Sequence, residues 1–153
     1  MKVQFVNPFV TAACDVLATE TGVAPIRGSL VVEQNPYTTE DVTAVVGMSG
    51  TARGSIYVSM SEATALAIVG KMMGSELTVF DELAQSGIAE FSNVVAGNAS
   101  IALADQGLET QITPPLMLVG AGARITSFDL MRIVVPLTTP FGIVKVHVAL
   151  RTA

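Results

Sequence analysis

The sequence has 153 residues, with 8 lysines and arginines against 13 aspartates and glutamates and a formal net charge of −5. Half of the residues are apolar and only 14% are charged, which suits a sizeable core and excludes a disordered chain. The acidic balance argues against nucleic acid as the main partner, and the lack of tryptophan argues against a ring-stacking platform for sugars or bases.

Mean hydropathy is high, at +0.58. The longest charge-free stretches, 91–104 and 110–123, are nevertheless broken by Asn, Ser, Gly or Pro. Neither reaches the roughly 18–20 apolar residues of a spanning helix, so no membrane partner is expected. The single cysteine, Cys14, excludes an internal disulfide and a cysteine-based structural zinc site. Thr11-Ala12-Ala13-Cys14 faintly resembles a lipoprotein cleavage site. Asn7-Pro8 cuts the apolar stretch before it too short for a signal peptide and makes a better helix start. The expectation is a cytoplasmic protein with Cys14 in the core of its first helix.

In chain order, the first helix is predicted over 8–21, with Asn7 as cap, Pro8 at the first helical position and Gly22 as its stop. Pro25 leads into an apolar strand, 28–33. A polar turn over 34–41 precedes a strand over 42–48. Residues 50–54 read as a hairpin turn and 56–60 as its return strand. Ser61 and Gly74 bracket a second helix, 62–73. Asp81 opens a long third helix that continues to about residue 106 and stops at Gly107. A strand over 116–119, a Gly-rich turn over 120–122 and strands over 129–137 and 142–150 complete the chain. The last two are joined by a turn containing Pro140. The order helix, Gly, Pro, strand, strand, strand thus occurs twice, over 8–60 and 81–150, and the second helix links the two. The expected fold is α+β: an antiparallel sheet with packed helices, made of two similar helix-plus-three-strand halves in one domain spanning 1–153.

The third helix carries the one stretch that looks chemical. At about 100° per residue, Ser86, Glu90, Asn93, Gly97, Ser100 and Ala104 share one stripe. Ile88, Phe91, Val95, Ala99 and Ala102 fall on the opposite face and are expected to be buried. A carboxylate and a carboxamide one turn apart, flanked by very small residues, suit a docking face. Gly87 and Gly97 each cost roughly 1 kcal/mol relative to Ala inside a helix. Taken alone, a surface Glu and Asn are ordinary solvated side chains. The combination Ser86-x3-Glu90-x2-Asn93 with Pro114-Pro115 at a later strand start is more specific.

With those residues the chain resembles the CheC/CheX/FliY family of phosphatases that act on the phosphorylated response regulator CheY. The family mark is a Glu-x-x-Asn pair on a long helix, preceded by Asp or Ser and followed about twenty residues later by Pro. Here it is Ser86, Glu90, Asn93 and Pro114 or Pro115. The opening Phe5-Val6-Asn7-Pro8-Phe9 and the layout are most similar to the CheX branch, and the similarity spans essentially the whole chain. CheC-like members carry a second motif in the first half. Laying Gly22 on Gly107 puts Phe5 opposite Glu90 and Pro8 opposite Asn93, so this chain has a single site.

The resemblance implies a hydrolase for the aspartyl phosphate of a CheY-like receiver domain. Such a phosphate is already activated, so its hydrolysis needs mainly a positioned water. A neutral carboxamide can accept from water and donate to a phosphoryl oxygen, which suits Asn93. A carboxylate against the phosphoryl group would add repulsion, so Glu90 is assigned to the receiver's active-site lysine. Ser86 and Gly97 become partner contacts. No cofactor of its own is expected, and a divalent metal such as magnesium belongs to the receiver. The alternative is a non-catalytic module that docks on a receiver or on a flagellar or signalling partner. The single histidine, His147, argues against a histidine-built metal site and reads as an ordinary strand residue. No phosphate-binding Gly-x-x-x-x-Gly-Lys loop or Gly-x-Ser-x-Gly elbow is present.

A homodimer is also expected. The uncharged stretch 133–144 offers few charges to guard a sheet edge, and the resemblance implies pairing of two subunits through their sheets.

Overall fold

Among the described residues three α-helices form, close to the predicted bounds. The structure, a computed structural model, describes residues 3–34, 36–126 and 131–152. Helix α1 (Asn7–Thr21) ends at Gly22, whose φ of 78° lets its N–H reach the Ala18 carbonyl. Its start differs from the expectation. Asn7 is already helical, Val6 holds the cap position, and Asn7 Oδ1 instead accepts from Arg27 Nη2 at 2.7 Å. Helix α2 (Glu62–Met73) has the predicted bounds, with Ser61 Oγ accepting from the Thr64 N–H and Gly74 left-handed at its end. Helix α3 (Glu82–Asp105) is capped by Asp81, whose carboxylate accepts from the Ala84 N–H at 3.0 Å. Among the described residues no helix is long and apolar enough to cross a membrane.

The strands are β1 (Ile26–Arg27), β2 (Val31–Glu33), β3 (Tyr37–Thr38), β4 (Val42–Gly50), β5 (Ala52–Met60), β6 (Thr110–Ile112), β7 (Leu116–Val119), β8 (Arg124–Ile125), β9 (Arg132–Thr139) and β10 (Gly142–Thr152). Of the expected strand over 28–33 only Val31–Glu33 is strand, and a separate two-residue strand, β1, lies just before the expected range. The hairpin turn sits at Thr51, and Gly54 lies inside β5 rather than in the turn. Its φ is 148°, and a Cβ there would overlap the Ala149 carbonyl oxygen, so Gly54 serves close strand approach. The predicted start of the strand at Asp129 lies outside the described residues.

Among the described residues all strand pairings are antiparallel. The main sheet runs β1-β9-β10-β5-β4-β6, with β2 also on β9 and β7 also on β4. The expected two halves are present, but they are interlocked. The split first strand of each half, β1/β2 or β6/β7, pairs with the hairpin of the other half. The helices cover one sheet face. Phe9 and Leu17 of α1, Ile68 of α2 and Phe91 of α3 meet alternate residues such as Ile56, Val58, Val146 and Val148 in one core. Cys14 is half-buried against that core, and burial pushes its thiol pKa up. A ribbon of β3 and β8 lies over the other face, with Tyr37 against Tyr57 and His147. Two-residue strands leave no period in a sequence, so nothing in the sequence announces this ribbon.

The stretch 133–144, read as an unguarded edge, is mostly β9 and lies inside the sheet, between β10 and β1/β2. The outer strands are β1/β2 and β6/β7 instead. Their exposed large apolar residues are Ile26, Val31 and Val32 on one side and Leu116, Leu118 and Val119 on the other.

Candidate active site

Helix α3 turns Ile88, Phe91, Val95, Ala99 and Leu103 into the core. Ala102, expected there, is only half-buried, because the helix rolls Leu103 inward in its place. On the other side Ser86 and Glu90 are exposed and Asn93 is half-buried. These three side chains face the bulge between β6 and β7. A groove of about 560 Å³ is lined by Ser86, Ala89, Glu90 and Asn93 from the helix and by Ile112, Thr113, Pro114 and Pro115 from the strand side. Both prolines of the motif line it. Among the described residues, Glu90 and Asn93 engage no hydrogen-bond or ion-pair partner.

The rest of the stripe divides. Gly97 lies one turn beyond Asn93 and does not line the groove. A Cβ on it would meet nothing within 4 Å among the described residues, so no packing among them requires glycine there. Gly87 is different: a Cβ would come 2.6 Å from Val69 Cγ1, so this glycine lets α2 and α3 pack. Ser100, placed on the outward stripe, is tied back to β6. Its hydroxyl lies 2.7 Å from Thr110 Oγ1 and 3.2 Å from the Thr110 carbonyl oxygen. Ala89, Ile112 and Thr113 carry no signal of their own in the sequence. Ala89 is apolar and featureless there, and Thr113 enters through a strand contact with Gly47, far away in the chain.

His147 is no part of this groove. It points to the ribbon side of the sheet, with its ring 4.5 Å from that of Tyr37 and Nε2 2.9 Å from Ser59 Oγ. Burial, aided by the nearby charges of Arg132 and Lys145, lowers its pKa to about 3, so it is neutral at pH 7. It is a structural residue, buried more deeply than its sequence context indicated. No group of three His, Cys, Asp or Glu side chains that could hold a metal ion occurs among the described residues.

Residues 42–138 match the family model described as "Chemotaxis phosphatase CheX". The chain belongs to the CheX family. The CheY-P phosphatase CheX of Thermotoga maritima is 31% identical over 132 residues, which cover 86% of this chain and 85% of that relative. The crystal structure of the chemotaxis protein CheX from Desulfovibrio desulfuricans aligns with a TM-score of 0.87 and 31% identity over 98% of this chain and 99% of that one. A CheX from Borrelia burgdorferi, solved as a CheX–CheY–BeF3–Mg2+ complex, aligns with a TM-score of 0.84 and 28% identity, again over 98% and 99%. The α+β layout described above is thus that of a CheX fold.

Proposed function

We propose that this chain is a phosphatase for the aspartyl phosphate of a CheY-like receiver, with residues 1–153 acting as one domain in the cytoplasm. The observation that carries the reading is the groove of α3. A carboxylate and a carboxamide, Glu90 and Asn93, stand one turn apart against Pro114 and Pro115, and their side chains have no hydrogen-bond or ion-pair partner among the described residues.

An ordinary surface pair has no need of such a wall. Here the wall narrows the approach, so an incoming surface meets both polar groups together. Glu90 is assigned to the receiver's active-site lysine, an ion pair that sets the docking register. Asn93 then reaches the phosphoryl group. Its carbonyl oxygen accepts from the attacking water and its NH2 donates to a phosphoryl oxygen, holding the water in line with phosphorus. The water oxygen bonds to phosphorus as the bond to the aspartate oxygen breaks, which releases inorganic phosphate and the free carboxylate. The divalent metal belongs to the receiver and neutralises charge on the phosphoryl oxygens. Ser86 at the groove and Gly97 beyond it serve as contact positions. The absence of a side chain at Gly97 leaves the helix backbone open to close approach. Two chains associate as a dimer with both grooves facing outward.

The test is the lifetime of a CheY-like receiver labelled with acetyl phosphate. Faster loss of the phosphoryl group on adding this protein is the expected result. Binding with an unchanged lifetime would make the chain a docking module instead.

A further inference from the structure

Extending the reading of the groove as the receiver's docking site, we propose that Thr113 is a positioning residue: its hydroxyl, clamped on Gly47, holds the Pro114–Pro115 wall opposite Asn93. Strands β6 and β7 both pair with β4, but with a one-residue slip between Met48↔Ile112 and Val45↔Leu116. The extra residue makes a bulge at 113–115. Pro114 and Pro115 have no N–H, so their backbone cannot donate to β4.

Thr113 supplies what is missing. Its N–H donates to the Gly47 carbonyl at 2.9 Å, and the Gly47 N–H donates to Thr113 Oγ1 at 2.8 Å. One residue thus makes both bonds of a ladder pair, the second through its side chain. The fit is close, since a Cβ on Gly47 would stand 3.1 Å from both Thr113 Oγ1 and Cγ2.

The other half shows that the fold does not require this device. The same slip occurs between Ile26↔Thr138 and Val31↔Val134. There Gly28 donates to the Pro136 carbonyl at 2.8 Å, and neither Gly28 nor Pro136 can form the second bond. That half has Phe5 and Pro8 where the second half has Glu90 and Asn93. The side-chain clamp is found where the polar pair is found.

The experiment uses full-length protein, turnover of a phosphorylated CheY-like receiver, and affinity for the same receiver carrying BeF3. Thr113→Val keeps the shape and removes the acceptor, while Thr113→Ser keeps the oxygen. Loss of one hydrogen bond predicts a KM raised about three- to tenfold in Thr113→Val, with kcat within about twofold and the affinity for BeF3-receiver weakened in parallel. Thr113→Ser restores both. If Thr113→Val does not fold, Gly47→Ala, which crowds the same hydroxyl from β4, is expected to raise KM likewise. An unchanged KM in a folded variant, a fall in kcat alone, or equal impairment of Thr113→Ser would overturn the proposal. Failure of the wild-type protein to speed hydrolysis would instead remove the phosphatase reading, and the BeF3-receiver affinities would still decide the role of Thr113.

Discussion

Tyr57 and His147 stand directly opposite each other on β5 and β10, and each holds the same place in its own half. Tyr57 pairs with Val45 and His147 with Val134, each two residues before the bulge-facing Gly47 or Pro136. The internal twofold of the sheet therefore passes between them. One half places a phenol at the axis, the other an imidazole, and Tyr37 of the ribbon lies against both rings.

That imidazole makes the fold acid-sensitive. The pKa of His147 is about 3 in the folded chain against 6.5 when unfolded. Between those values the unfolded chain binds the extra proton. Stability is fully retained above pH 6.5 and falls by about 1.4 kcal/mol per pH unit as the pH drops toward 3. Arg132 and Lys145 oppose the charged ring, as burial does, and Tyr37 and Tyr57 offer it no counter-charge. Denaturant melts at pH 6.5 and pH 5 should separate by roughly 2 kcal/mol in the wild type and by clearly less in His147→Gln. Equal slopes in the two proteins would remove His147 as the cause.

Asn93→Ala should cost about 10²-fold or more in stimulated dephosphorylation while leaving affinity for the receiver within a few-fold. The prediction follows from assigning the attacking water to Asn93 alone. Single-turnover decay of phosphorylated receiver, measured beside binding of the BeF3 form, separates the two effects. Hydrolysis at the wild-type rate would end the assignment.

The two glycines of α3 should behave oppositely. Gly97→Ala has open space, so it should raise thermal stability by roughly 0.5–1 kcal/mol and weaken receiver binding. Gly87→Ala meets Val69 and should destabilise by about 1–3 kcal/mol. Melting curves with binding isotherms check both, and unaltered receiver affinity in Gly97→Ala would deny Gly97 its contact role.

For the dimer, the edge at β1/β2 is the better surface, because the β6/β7 edge adjoins the groove. Ile26 is 72% exposed there, with Val31 and Val32 beside it. Sedimentation equilibrium at low micromolar concentration should give twice the 15.9 kDa chain mass, and Ile26→Lys should shift it toward the monomer with turnover per chain kept. A monomer mass for the wild type, or a dimer that closes over Asn93, counts against this arrangement.

Elements with their own punctuation are legible in the sequence. Helix α2 lies between Ser61 and Gly74, and β7 between Pro115 and Gly120, because cap and turn residues act on their immediate neighbours. The polar pair on α3 is legible for a similar reason, since helical spacing aligns Glu90 and Asn93 within one turn. Features that depend on distant partners are not. The inner place of β9 is decided by β1/β2 folding back on it, the small size of Gly87 by Val69, and the clamp at Thr113 by Gly47. The inward turn of Ser100 likewise follows from Thr110 on the neighbouring strand.

The exchange of outer strands between the two halves has a consequence for how such a chain can change. Neither half completes a sheet from its own residues, so the half without the polar pair cannot be discarded as surplus. It must be kept in full to lend β1 and β2 to the hairpin of its sibling and to receive β6 and β7 in return. Phe5 and Pro8 are under no such obligation to chemistry and are free to serve packing. A duplicated architecture can thereby carry a polar groove in only one half while remaining unable to shrink to the size of one.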